Sequence, residues 1–410
     1  MQTGSWPNFK TTFLLTNSSL PNPVKGSNFS TTWRPSMPKI ALQVPGKLYL
    51  AGEYAVTHPY HSAVIAAISA YLHLSLTPST DGIGHLVTNQ SLLPLDWTVD
   101  ETGRVQGLPD PFVLIASCLE TSYHYLLTHG PALLPRPYVL TIQSDLDSPS
   151  GAKYGLGSSA AVSVACIEAL LQAYQVPYTP RLIYQLAVIS QKRIGLSGSF
   201  GDIACTSFRT LIAYQNFDPT LLNQALTTSY QLEDLLDPSY WPGLDIQPLP
   251  WPTDWEMAIA WTKSPSSTDD LLQLNTAGHL NTAGHLNNTD HFEQRQVLTT
   301  EDFLQASQSQ VNALQTALNQ SNWDKAQAAL TANGTSLLRY HHNRPVPYQT
   351  PALKQAVTLA QYCQAASKIS GAGGGDCAIA LCPNPSIAQE VRTRWQTAGL
   401  SPLPFSLVMS

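Results

Sequence analysis

The chain has 410 residues, of which 43% are hydrophobic and only 12% charged, against about 25% charged in ordinary domains. Such a length suggests roughly two to three domain equivalents and a sizeable core. With 21 Lys and Arg against 27 Asp and Glu, the net charge of -6 argues against the broad basic face that nucleic-acid binding needs.

Residues 1–36 are rich in Ser, Thr, Asn and Pro and lack a secretory pattern. They are expected to be a disordered leader, with Met37 as an alternative start. Ile40–Val44 and Leu48–Leu50 read as two short strands about a Pro45-Gly46 turn, and Ser62–Ile68 and Leu72–Leu76 as further strands. Residues 110–127 read as a helix, Tyr138–Gln143 as a strand and Ser158–Tyr174 as a long helix; Leu182, Leu186 and Ile189 mark the buried face of another. A segment rich in proline and tryptophan, 237–254, reads as a connection. A change of domain is placed between about 215 and 255, with domains assigned as 37–220 and 221–410. LNTAGH occurs twice in tandem at 274–285, as in a duplicated surface loop. Helices are predicted at 302–318, 323–340 and 351–364, the last capped by Thr350 with Pro351 first in the helix. Strands follow at Cys377–Cys382 and Phe405–Val408. The fold class is α+β. No apolar run reaches the ~18 residues of a membrane helix. Cys118, Cys166, Cys205, Cys363, Cys377 and Cys382 have no CxxC spacing and read as reduced core residues of a cytoplasmic protein.

Glycine-rich segments carry the chemistry. In Lys153-Tyr154-Gly155-Leu156-Gly157-Ser158-Ser159-Ala160-Ala161 the glycines let backbone approach a ligand closely. A helix then begins with small residues, and its free N–H groups favour an anion. The bland alternative is a tight strand-to-helix turn. No GK[ST] ends the loop and the GxGxxG spacing fails, so neither a Walker A loop nor a dinucleotide fingerprint is present. Ser370-Gly371-Ala372-Gly373-Gly374-Gly375-Asp376 abuts an apolar strand. Such a run suits a loop that wraps a ligand or passes close to another backbone better than a linker. Pro45–Val56 places Lys47 and Glu53 in an apolar hairpin, which alone reads as ordinary surface charge.

In this order and spacing, PGKxxLxGEYAV, GLGSSAA and SGAGGGD resemble the GHMP kinases, the family of galactokinase, homoserine kinase, mevalonate kinase and phosphomevalonate kinase. The resemblance covers residues 40–410. Four features make the chain most similar to bacterial phosphomevalonate kinases: KYGLGSSAAV, GEY instead of GEH, the segment 261–271, and Gly201-Asp202-Ile203-Ala204. The resemblance implies an N-terminal ribosomal-protein-like α/β domain carrying the first two motifs and a ferredoxin-like C-terminal domain carrying the third. It implies ATP as co-substrate, Mg²⁺ as cofactor and 5-phosphomevalonate as acceptor. It implies no nucleic-acid or membrane partner, and a monomer or homodimer. The chain departs at Lys368-Ile369, where many relatives have a proline, and at the tandem insertion.

Roles follow from the resemblance. Gly155, Leu156, Gly157, Ser158, Ser159 and Ala160 would bind ATP, with Ser158 on a phosphate and Ser159 on Mg²⁺. Asp202 matches the catalytic aspartate, expected to orient the acceptor and balance Lys47, although an Asp there also reads as a cap. Lys47 would bridge Asp202 and the acceptor phosphate. Glu53 is a metal-side carboxylate or a structural hairpin residue. Acceptor contacts are assigned first to Lys263 and Ser267, then to Lys192, Arg193 and Arg344, and in the third loop to Ser370, Gly371, Ala372, Gly373 and Asp376. Lys192 and Arg193 end a helix, where cations are stabilised in any case. His341 and His342 are adjacent and are not read as joint metal ligands. The alternatives are mevalonate kinase and a non-catalytic ATP-binding sensor of the same fold. Residues 80–110 are the expected adenine region.

Overall fold

A computed structural model describes residues 38–129, 134–148, 151–228, 230–263, 297–342 and 347–409. The leader, the tandem repeat, Ser267 and Arg344 lie outside them.

Two long antiparallel strands, β1 (Ile40–Ala51) and β2 (Ser62–Pro78), open the fold. Alternation sets their faces: Leu42, Val44, Leu48 and Leu50 are buried, whereas Ala41 and Gln43 are exposed. Pro45-Gly46 does not split β1 into two strands. It forms a bulge, at which pairing jumps from Pro45–Tyr71 to Gly46–Ile68. Proline has no N–H to give the ladder, so an irregularity costs least there. The same jump leaves Ser69 and Ala70 of β2 without a β1 partner. The C-terminal tail fills the gap: the Ser69 N–H donates to the Ser406 carbonyl at 2.8 Å and Val408 N–H to the Ala67 carbonyl at 2.9 Å. The strand expected at Phe405–Val408 is therefore a tail laid on β2 with one bridge, Ile68–Leu407.

The first sheet has the order β5-β4-β3-β6-β2-β7-β8, with β1 on β2. Its other strands are β3 (Gly84–Thr88), β4 (Leu95–Val99), β5 (Val105–Gln106), β6 (Tyr138–Ser144), β7 (Ile212–Gln215) and β8 (Asp245–Pro248). Only β3 and β6 pair in parallel among the described strands of this sheet. Helix α2 (Ser158–Ala173) lies against β1 and β2. It is packed in turn by α1 (Val113–His129), α3 (Pro180–Arg193) and α4 (Gly201–Phe208). Nearly all of α2 beyond its first turn is buried, which is why it is apolar on every side. A short α5 (Thr220–Leu226) follows β7.

The second sheet has the order β10-β11-β9-β12, all antiparallel, from β9 (Glu256–Trp261), β10 (Ala366–Ser370), β11 (Cys377–Cys382) and β12 (Ser401–Pro402). Between β9 and β10 come α6 (Thr300–Asn319), α7 (Trp323–Tyr340) and α8 (Pro351–Tyr362); α9 (Pro385–Thr397) joins β11 to β12. This succession and strand order are ferredoxin-like. Strand β8 still belongs to the first sheet, and the second sheet begins with β9. Short β8 lies inside the proline-rich run, so composition hides it. All six cysteines are buried and unpaired.

Gly46 ties β1 to the loop ahead of α2. A Cβ there would lie 2.9 Å from the Leu156 carbonyl oxygen and 2.6 Å from Leu146 Cδ2. Gly46→Ala is expected to destabilise the fold by about 1–3 kcal/mol and lower the thermal midpoint. An unchanged midpoint would show that the loop relaxes to admit a methyl group.

Candidate active site

The glycine segments, far apart in sequence, meet at the mouth of α2. Gly155 and Gly157 have φ of 79° and 90°, a left-handed conformation that glycine adopts without a Cβ penalty. Gly157 is the N-cap of α2 and no side chain caps that end. The Lys47 stem runs beside it: a Cβ on Gly157 would be 3.0 Å from Lys47 Cγ. Lys47 is held at both ends, its N–H donating to the Leu156 carbonyl at 2.8 Å and its Nζ to the Gly155 carbonyl at 3.1 Å. Asp376 closes on the same loop from the second sheet. A Cβ on Gly155 would lie 2.4 Å from its Oδ2. Its backbone carbonyl accepts from the N–H and hydroxyl of Thr262, both at 3.0 Å. Asp376 therefore faces the Gly155–Gly157 loop.

Ser158 is half-buried and Ser159 exposed at the start of α2. The Ser159 carbonyl accepts from Ser163 Oγ, which in turn accepts from Gln191 Nε2 at 3.1 Å. Asp147, not singled out from sequence, lies with Oδ1 3.5 Å from Ser158 Oγ. Burial pushes its carboxyl above the ordinary range, while Lys153 and Ser158 pull it back. Asp147 and Lys153 form a β-bridge across the loop, a pairing with no local sequence signal. Ser158, Ser159 and Asp147 are hard oxygen donors of the kind Mg²⁺ accepts alongside phosphate oxygens.

Asp202 is half-buried in the first turn of α4, its Oδ1 accepting from the Ile203 N–H at 2.9 Å. Beneath it lies a tyrosine network. Tyr49 Oη is 3.2 Å from Ser199 Oγ, Tyr214 donates to the Ser199 carbonyl, and Tyr184 Oη lies 3.0 Å from Tyr214 Oη. Burial raises all three phenols, and the Asp202 charge raises them further. They remain protonated hydrogen-bonding groups. Gly201 makes room, since a Cβ there would meet Tyr49 Oη at 3.0 Å and Ile65 Cδ1 at 2.7 Å.

Lys47 and Asp202 form no direct ion pair. Tyr49 stands between their segments, with Lys47 Nζ 5.5 Å from its ring centroid and its hydroxyl on Ser199. Both charges also reach the buried Cys205 thiol, which burial pushes up, Lys47 pulls down and Asp202 pushes up. The expected balance of Lys47 by Asp202 is not made by direct contact. Tyr49 was legible in principle: Lys47 and Tyr49, two apart on a strand, share a face.

Glu53 is not placed as a metal-side carboxylate. It is 3% exposed, and its Oε1 pairs with the ammonium of Lys368, itself 2% exposed. Burial pushes Lys368 down and Glu53 pulls it back up. The third loop is anchored around this pair. Ser370 Oγ donates to the Tyr49 carbonyl at 2.9 Å, Gly371 N–H to Glu53 Oε1 at 3.4 Å, and Tyr54 Oη to the Ala372 carbonyl at 2.6 Å. Gly373 packs on Tyr348, where a Cβ would lie 2.2 Å from the ring. His341 is buried between Tyr54 and Tyr348, with ring centroids 4.2 and 4.8 Å away.

The remaining acceptor candidates separate. Arg193, at the end of α3, turns to α1: its guanidinium donates to Thr121 Oγ1 at 3.1 Å and lies 3.5 Å from Glu120 Oε1. It does not join the site, because adjacent helix residues point apart. Lys192 points elsewhere, over the Phe200 and Phe217 rings at 5.0 and 6.0 Å, and donates to Asn223 Oδ1 at 2.8 Å. Phe200 is the N-cap of the helix that carries Asp202. Lys263 is exposed at the end of β9, next to Thr262 on the Asp376 carbonyl.

Comparison with known proteins identifies the family. Residues 116–209 match the family model of the GHMP kinases N terminal domain, and residues 314–400 that of the GHMP kinases C terminal domain. The phosphomevalonate kinase of Streptomyces sp. (strain CL190) is 30% identical over 383 residues, covering 90% of this chain and 96% of that protein. The crystal structure of Streptococcus pneumoniae phosphomevalonate kinase with phosphomevalonate and AMPPNP is similar at a TM-score of 0.76 and 26% identity, over 90% of this chain and 100% of that one. A Lin0012 protein of Listeria innocua is similar at a TM-score of 0.80 and 28% identity, over 90% of this chain and 98% of that one. The chain belongs to the GHMP kinases and is an ATP-dependent kinase of mixed α+β fold, most like phosphomevalonate kinase.

Proposed function

We infer that this kinase transfers the terminal phosphoryl group of ATP to 5-phosphomevalonate, giving 5-diphosphomevalonate and ADP. The observation that carries the reading is the meeting of the glycine motifs at an uncapped helix mouth, beside Lys47 and across Tyr49 from Asp202. Likeness to phosphomevalonate kinases along 90% of the chain supports the acceptor.

The chemistry asks for placement more than for covalent help. An acceptor phosphate oxygen attacks the γ-phosphorus; the bond from that phosphorus to the β–γ bridging oxygen breaks, and ADP departs with the electron pair. A phosphate monoester is largely dianionic at neutral pH, its second pKa being about 6. No strong base is needed, and Asp202 serves to orient. The difficulty is bringing two anions together. The α2 N–H groups and Lys47 supply positive potential on this chain's side. Ser159 would hold Mg²⁺, with Ser158 and Asp147 adjacent, and the ion would neutralise charge on the triphosphate. Lys263 and Lys192 remain the acceptor cations of this proposal. The buried, unpaired cysteines support a reducing compartment such as the cytoplasm.

The direct test presents the purified protein with MgATP and, in turn, mevalonate, 5-phosphomevalonate, 5-diphosphomevalonate, homoserine and galactose, and measures ADP. Turnover with 5-phosphomevalonate is expected. Turnover confined to mevalonate would replace the acceptor, and nucleotide binding without turnover would favour the sensor. Asp202→Asn and Lys47→Met are each expected to lower kcat by roughly 10²–10³-fold with ATP affinity little changed. An equal loss of nucleotide binding would move both residues off the transferring group.

Lys192 adds a pH test. Burial lowers its ammonium to about 8, so its charge is present below that pH and lost as pH rises through it. The stability sign is opposite to the usual lysine pair. The unfolded chain holds this proton up to about 10.4, so the group disfavours folding below pH 8 and the penalty fades as pH rises from there. If Lys192 attracts the acceptor phosphate, the acceptor KM rises above pH 8 while the ATP KM does not, and Lys192→Met removes that limb. A parental profile in Lys192→Met would place the acceptor elsewhere.

A further inference from the structure

We propose that Glu53 and Lys368 are positioning residues for phosphoryl transfer, their buried pair fixing the 370–376 glycine loop against the first-motif strand. The inference rests on the kinase reading above and concerns residues that touch neither substrate in it.

The placement is unusual for a charged pair. Both side chains are nearly fully buried, and they come from different sheets. Glu53 follows β1, and Lys368 is central in β10, whose five residues are all buried. Room for the lysine stem comes from α7, where a Cβ on Gly334 would lie 3.0 Å from Lys368 Cβ. Lys368 Nζ also donates to the Ile369 carbonyl at 2.7 Å. A buried pair of this kind is poor as a source of stability, because well-packed apolar residues commonly do as well. It does specify geometry. Glu53 Oε1 receives both Lys368 Nζ and the Gly371 N–H, so one oxygen sets the loop's first amide relative to β10. Its other oxygen, Oε2, is buried with no hydrogen-bond partner.

The loop needs such a fixture. Gly371, Gly373 and Gly374 have φ of 93°, 75° and 73°, so the segment is freer before ordering than most. Its two ends serve the two sides of the site. Ser370 sits on the Tyr49 carbonyl, next to the Lys47–Asp202 region, and Asp376 sits on the ATP loop at Gly155. A shift of the loop would misplace both. The Glu53 charge also reaches the aromatic cluster that backs the loop, raising the Tyr348 phenol along with burial.

The experiment compares Glu53→Gln, Lys368→Met and the double variant with the parent, in the full chain. Lys368→Met strands a buried charge and is expected to lower the thermal midpoint, and the double variant to recover it. Activity is expected not to recover. The double variant should have kcat about 10–100-fold below the parent, with unchanged Mg²⁺ dependence. Amides 371–375 should exchange faster by hydrogen–deuterium exchange without any substrate present. A merely structural pair would recover kcat together with the midpoint, and that result overturns the proposal. Parental exchange in the loop also overturns it, as does a shifted Mg²⁺ requirement in Glu53→Gln, which would return Glu53 to the metal. If the double variant fails to fold, the shape-preserving Glu53→Gln decides by the same exchange and kcat readouts. Absence of parental turnover with 5-phosphomevalonate would defeat the acceptor assignment, while loop exchange would still judge the pair.

Discussion

The turn ahead of α2 is packed from two sides, and only a backbone without Cβ atoms permits it. Lys47 lies against Gly157, and Asp376 lies against Gly155. Side chains at either position would collide with these neighbours and would also meet an unfavourable positive φ. This close approach brings a cation and a carboxylate to the rim of a helix mouth without filling the mouth itself. The free N–H groups of α2 stay directed outward, where a triphosphate can use them.

Cations are scarce in this chain, and the structure distributes them unevenly. Arg193 is consumed by α1 and Lys368 by Glu53. Lys47 has its stem covered and its ammonium on the Gly155 carbonyl, beside the helix mouth. Lys192 rests on aromatic rings with an amide partner, and its burial weakens its hold on a proton. The carboxylates separate in the same way. Asp202 stands over hydroxyls that burial keeps protonated, whereas Glu53 is closed off beside a lysine.

The second sheet is more than an appendage to the first. Its β10–β11 loop reaches the first-motif strand through Ser370, Gly371 and Tyr54, and its Cys377 thiol donates to the Tyr154 carbonyl at 3.3 Å. The C-terminal tail returns to β2 at the unpaired bulge residues. Both sheets therefore contribute to one site, and the bulge at Pro45-Gly46 gives the tail its place.

Much of this was legible from residues alone. Periodicity located α2, α3, α6, α7 and β11, because an apolar repeat reports a buried face wherever the partner lies. The glycine motifs announced the family, since few other folds need those residues in that order. Thr350 capped its helix as expected, accepting from the Leu353 N–H at 3.3 Å. What needed the tertiary structure is what depends on meetings across long separations. The continuity of β1 through its bulge, the partner of Glu53, the place of Tyr49, the nearness of Asp147 to Ser158 and the diversion of Arg193 have no local pattern. The residue types were already set along the chain; which charge faces which became definite only when the two sheets closed over the buried ions.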